Sequence, residues 1–228
     1  MRTIGLLAAI FAATAATADA ATFLFLDDGT TTATIQDESV SDLSATPGVV
    51  TFSGALGAWS INVSTGLGFP FVGTADAPEI QLNSVNVSSA PGTLDVWVWE
   101  TDLSPAVSML SYDFIFGGTT QGAAEAEFCL DTTNSASTGC TTSLSSLGPF
   151  SGSGTLAFSD LDAGDIAGLT GPVAFKMRVR LEHGRAGAVT SFNAEVATKG
   201  PSVIPLPASA VMLVSAVLGL SLHRRRSG

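Results

Sequence analysis

Asp160-Leu-Asp162-Ala-Gly-Asp165 gathers three carboxylates around a glycine, and Asp27-Asp28-Gly29 gathers two more. Carboxylate oxygens are the hard ligands that calcium prefers, which makes both runs candidate cation loops. Neither has the spacing of an EF-hand loop or its closing Glu, and Asp favours turns for its own backbone hydrogen bonds. The expectation is a glycine-containing turn at Asp160, Asp162 and Asp165, with calcium the cation such a turn would take.

Other residues offer less. Glu125 and Glu127 are two apart on an expected strand and project from one face, as a glycosidase pair would need. No second wall is evident, so a solvated strand face is favoured. Trp97 and Trp99 share that spacing and would make a sugar-stacking platform if exposed, but their strand is so apolar that core is favoured. His183 is the only histidine between 21 and 200. It sits beside Gly184 at an expected hairpin end with no G-x-S-x-G elbow to accompany it, and reads as an exposed turn residue. Asn62-Val-Ser64 and Asn86-Val-Ser88 match the glycosylation acceptor pattern and are read as strand residues. No catalytic cluster emerges, so the expectation is a protein that is not an enzyme, with no cofactor beyond calcium.

Cys129 and Cys140 flank a Thr/Asn/Ser/Gly run. Their spacing is not CxxC and no histidine lies nearby, so a disulfide closing a loop is expected over metal or redox chemistry. Such a staple contributes about 2–3 kcal/mol on the chain-entropy account.

The elements that must carry these residues alternate with period two. In Val173–Glu182 the residues Val173, Phe175, Met177, Val179 and Leu181 point one way, and Lys176, Arg178, Arg180 and Glu182 the other. After His183-Gly-Arg-Ala-Gly187, the stretch Ala188–Val196 alternates again, which predicts a hairpin with Glu195 opposite a basic residue. Thr93–Glu100 is apolar on both faces, the mark of a central strand covered twice. Nine or ten short strands separated by Gly, Pro, Asp or Ser predict an all-β fold, a single antiparallel β-sandwich of jelly-roll type over 21–200.

Between 21 and 200 there are 19 acidic and five basic side chains, a formal charge of -14. That field repels nucleic acid and anionic lipid, and leaves cations or neutral sugars as the compatible partners. The ends differ from this body. Met1-Arg2, an apolar run over Ile4–Ala16 and the small-x-small site Ala18-Asp-Ala20 read as a signal peptide over 1–20. At the other end Val203–Leu222 is a 20-residue uncharged stretch. It is long enough to span a bilayer core as one C-terminal transmembrane helix starting near Ala208. Pro205 and Pro207 hold its first residues extended, and Arg224, Arg225 and Arg226 stop transfer and fix the cytoplasmic side.

Proline strap, apolar helix and basic terminus in that order, over 201–228, resemble the PEP-CTERM class of bacterial sorting signals in its VPLPA-CTERM variant. Ile204-Pro205-Leu206-Pro207-Ala208 matches the motif, with Ile204 where that variant usually has Val. The resemblance implies a membrane exosortase as processing partner and transient residence in the inner membrane. It also implies delivery to the cell surface or medium of a Gram-negative bacterium that makes extracellular polysaccharide. The expected function is a non-enzymatic surface or extracellular-matrix protein; the alternative is a calcium-dependent carbohydrate-binding module acting on that polysaccharide.

Overall fold

The structure is a computed structural model and describes residues 20–200 apart from 75, 106 and 107. The expectations for Ala18, for Ile204 to Ala208 and for Arg224 to Arg226 lie outside the described residues, and Ala20 is the first residue within them. Twelve strands and no helix occur among those residues, in two six-stranded antiparallel sheets. One sheet has the order β2 (Thr32–Gln36), β1 (Ala21–Asp27), β6 (Gly92–Leu103), β11 (Val173–His183), β8 (Ala123–Asp131), β9 (Thr142–Ser151). The other has the order β10 (Leu156–Ala167), β7 (Met109–Thr120), β12 (Val189–Lys199), β5 (Glu79–Ser88), β4 (Trp59–Leu67), β3 (Val49–Leu56). The expected all-β sandwich is the fold.

Period-two patterning explains the packing. On β1 Leu24 and Leu26 are fully buried, on β6 Leu94, Val96 and Val98, and on β11 Phe175, Met177, Val179 and Leu181. These side chains meet Phe114 and Phe116 of β7, Ile80 and Leu82 of β5 and Ala194 and Val196 of β12 in one core between the sheets. At about 25 cal/mol per Å² of apolar surface removed from water, this layer supplies the main favourable contribution to folding.

Several expectations are corrected. No hairpin joins β11 to β12: β11 pairs with β6 and β8, and β12 with β5 and β7 in the opposite sheet. The segment after His183 therefore crosses between the layers, and Glu195 stands opposite Gln81 and Ile115, not opposite a basic residue of β11. A short loop bridges two sheets packed about 10 Å apart as readily as it turns a hairpin, and alternation looks the same in both cases. Asp160, Asp162 and Asp165 do not form a turn. They lie on β10, a 12-residue edge strand paired along its length with β7. His183 is not exposed: it is 1% exposed, with Nδ1 2.8 Å from Ser88 Oγ and Nε2 2.8 Å from Thr190 Oγ1. Its ring also leans on Trp59 at 4.6 Å between centroids.

Two strands, β2 and β9, have no counterpart in the alternation read from the sequence. The first is a short Thr-rich edge, and the second contains Gly148 and Pro149 in a Ser-rich run. Proline is tolerated where no ladder partner needs its missing N–H, and β9 is an outer strand with two register shifts against β8.

Candidate functional site: a groove on the outer face of one sheet

Residues of β1, β6, β11 and β8 that do not enter the core form an ordered lattice on the outer face of their sheet. One row runs Phe23, Trp99, Lys176, Cys129, and the next runs Phe25, Trp97, Arg178, Glu127. A third runs Asp27, Asp95, Arg180, Glu125. Aromatic residues thus give way to charged ones along the strands. Trp97 and Trp99, expected in the core, are buried as expected, yet they point away from it.

The first row is roofed over. Cys129 and Cys140 form the expected disulfide, with 5.7 Å between Cα atoms. Lys176 reaches into the loop so closed, donating to Asp131 Oδ2 at 2.6 Å, Ser135 Oγ at 3.2 Å and the Ser137 carbonyl at 2.7 Å. All three ammonium protons are thereby used, which is what a fully buried lysine requires. Trp99 is 1% exposed, its ring stacked on Phe23 at 5.6 Å. Burial alone would push the Asp131 carboxyl up, but hydrogen bonds from Lys176, Ser135 and Thr133 hold it well below the usual carboxylate range.

The second row is open. Beside the loop lies a cleft of 540 Å³ with Phe25 and Trp97 as floor, Asp27, Asp95, Glu127 and Arg178 as polar lining, and Thr138, Gly139 and Cys140 as wall. Trp97 is 8% exposed because the Arg178 guanidinium lies over its indole, 5.6 Å from the centroid. Arg178 also contacts Glu127 at 3.1 Å and Glu125 at 3.8 Å, and Ser143 donates to the other Glu127 oxygen at 2.8 Å. Asp95 Oδ1 is buried with no hydrogen-bond partner among the described residues, and Arg180 Nε stands 3.9 Å away. Desolvation pushes the Asp95 carboxyl up, against the pull of Arg180 and Arg178. Chemically the cleft offers donors in a planar fork, several anionic acceptors and an apolar floor. That mixture suits hydroxyl-rich ligands. A second cleft of 450 Å³, lined by Thr93, Glu125, Arg180, Glu182 and Pro149, adjoins it on the same face.

The expected site residues fall differently. Glu125 and Glu127 share this face as predicted, and Arg178 binds both. Asp162 accepts from Ser145 Oγ at 2.6 Å, Asp160 accepts from the Leu161 amide, and Asp165 points to the opposite face of β10. Among the described residues no group of three or more His, Cys, Asp or Glu side chains stands close enough to hold a metal ion. Asp27 and Asp28 serve their own turn, accepting from the amides of Gly29, Thr30 and Thr31. Sequence reasoning misses Phe25, Asp95 and Arg178 as residues lining the cleft. No local signal could have found them, because they meet only through the adjacency of β1, β6, β11 and β8.

No family model matches the chain, and no curated protein does. Among solved structures, TmCBM61 in complex with β-1,4-galactotriose is 9% identical over 65% of this chain and 92% of that one, with a TM-score of 0.27. Arthrobacter globiformis T6 isomalto-dextranase complexed with panose is 12% identical over 66% of this chain and 24% of its own, with a TM-score of 0.20. The chain thus spans about a quarter of the length of the latter. Likenesses this slight leave the groove to be judged by its own residues.

Proposed function

We propose that this is an exported, non-enzymatic cell-surface or matrix protein whose jelly-roll-like sandwich binds polysaccharide in the groove beside the disulfide loop. The observation that carries the binding reading is the open cleft itself: an aromatic floor of Phe25 and Trp97 under Arg178, Asp27, Asp95 and Glu127. Sugars present apolar ring faces and many hydroxyls; half-buried Phe25 offers the apolar contact and the charged lining the hydrogen bonds, while Trp97 lies beneath the Arg178 guanidinium. Asp160, Asp162 and Asp165, the residues expected to hold calcium, lie on β10 in the other sheet and form no part of the proposed groove.

The test is a titration of the purified chain with a panel of polysaccharides, read by intrinsic tryptophan fluorescence and calorimetry. Saturable binding that Arg178→Ala weakens at least tenfold, with unchanged melting, supports the reading. Absence of binding across the panel refutes it.

Export and sorting rest on the termini. The signal-peptide pattern and the Ile204-Pro205-Leu206-Pro207-Ala208 strap before an apolar stretch support passage through the inner membrane and trimming by an exosortase-type protease. Replacing both Pro205 and Pro207 by Ala should leave export intact and block trimming, seen as an unprocessed intact mass. Normal trimming in that variant would remove the strap from its role.

A further inference from the structure

We propose, resting on the glycan reading above, that the groove takes an internal stretch of an uncharged polysaccharide laid across the strands. The cleft is lined from β1, β6, β11, β8 and β9 in turn, through Phe25, Trp97, Arg178, Glu127 and Ser143. Five strands at the usual spacing give a trough about 19 Å long, room for about four pyranose rings. Exposure falls and rises along it. Thr34, opposite Phe25 on β2, is exposed; Trp97 in the middle is buried; and Ser143 and Ser146 at the far side are exposed again. Among the described residues the floor of the trough is therefore exposed at both ends, as a chain that continues past either end requires.

Its two flanks are closed. The disulfide loop forms one, with Thr138, Gly139 and Cys140. The other is a ridge of two long ion pairs, Arg180 with Asp95 at 3.9 Å and Arg178 with Glu125 at 3.8 Å, each with one member in either cleft. The flanks constrain the chain to one direction, perpendicular to the strands.

Charge selects the ligand. Asp27, Asp95, Glu125 and Glu127 outnumber Arg178 and Arg180 along the trough, on a body already at -14. A uronate-bearing chain would bring further carboxylates into that field, at a cost that salt only partly screens. A neutral chain meets no such barrier.

The experiment uses the full-length chain and two probe sets. Neutral homopolysaccharides identify a binder, whose oligomers from two to six rings are then titrated; polygalacturonate and alginate serve as acidic probes at low salt. Affinity should rise with length up to about four rings and then level off, since the trough spans five strands. Reducing the oligomer's terminal sugar should not change it, and the acidic probes should not bind. Phe25→Ala and Ser143→Ala, at the two ends of the trough, should each weaken the four-ring oligomer by about threefold or more. Each should spare the two-ring oligomer. Equal affinity for two and four rings, loss of binding on terminal reduction, or preference for the acidic probes would overturn the inference and leave glycan binding standing. Failure of every probe to bind would overturn both.

Discussion

Lys176 Nζ stands 2.6 Å from Asp131 Oδ2, with the two side chains 0% and 3% exposed. The pair fixes the loop that walls the groove to the middle of the sheet, because Lys176 lies on β11 between β6 and β8. Removing one partner leaves an uncompensated buried charge, at a cost of about 3–5 kcal/mol. Lys176→Met and Asp131→Asn should each lower stability by that order, while the double variant should lose less than the sum. Denaturant unfolding of the three variants measures it. Since the Asp131 carboxyl titrates below its unfolded value, the pair's contribution is present at neutral pH and is lost as pH falls through the acid range.

Opening the disulfide acts on the same wall. Replacing Cys129 and Cys140 together by Ala should cost about 2–3 kcal/mol on the chain-entropy account. It should also weaken glycan binding, since Cys140 and its neighbours line the cleft. Calorimetric melting and the fluorescence titration report the two effects separately; unchanged affinity would free the wall of any part in recognition.

Glu100 supplies a pH dependence of the opposite sense. It is fully buried on β6 and, among the described residues, accepts only from the Phe69 amide through Oε1 and leaves Oε2 without a partner. Desolvation pushes its carboxyl up to about 8, against the pull of that one hydrogen bond. The folded state therefore holds a proton that the unfolded chain has released. Stability from this group is complete below the unfolded value and is lost as pH rises toward 8, by on the order of several kcal/mol. Glu100→Gln, which keeps the acceptor, should flatten the fall in melting temperature between pH 5 and pH 8. A slope equal to that of the parent would count against it.

His183 acts on the acid side. Burial lowers its pKa, so the unfolded chain takes up a proton that the folded one refuses, and stability falls as pH drops below about 6.5. Its two ring nitrogens serve Ser88 and Thr190, and Thr190 continues to Thr120 at 2.7 Å. His183→Gln should reduce the change in stability between pH 7 and pH 5 and lower stability overall through the broken network. Guanidinium melts at the two pH values give the comparison.

Much of the sandwich is legible in the sequence because one face of several long strands, β11 above all, is largely apolar. Alternation alone marks Val173 to Leu181 as the inward face of β11, and the outward Lys176, Arg178 and Arg180 are the residues that build the groove and its wall. Adjacency is not legible. Arg178 meets Trp97 and Glu127 because β11 lies between β6 and β8, and nothing local in any of the three strands records that order. Trp97 and Trp99 mislead for a related reason: Trp97 is covered by Arg178 and Trp99 is packed by Phe23 and Phe25, side chains that distant segments contribute. Asp160 to Asp165 mislead because Asp and Gly signal turns locally, whereas twelve paired positions with β7 override that preference.

Strand β6 has β1 on one side and β11 on the other, so the centre of its sheet joins Ala21–Asp27 to Val173–His183, from opposite ends of the described chain. A chain that emerges amino end first cannot complete this sheet until Val173–His183 has appeared, the eleventh of the twelve strands among the described residues. Until then the edges of β6 and β8 stay unpaired and adhesive. The domain must consequently acquire its structure late and nearly all at once, with those edges in need of shielding for most of its synthesis.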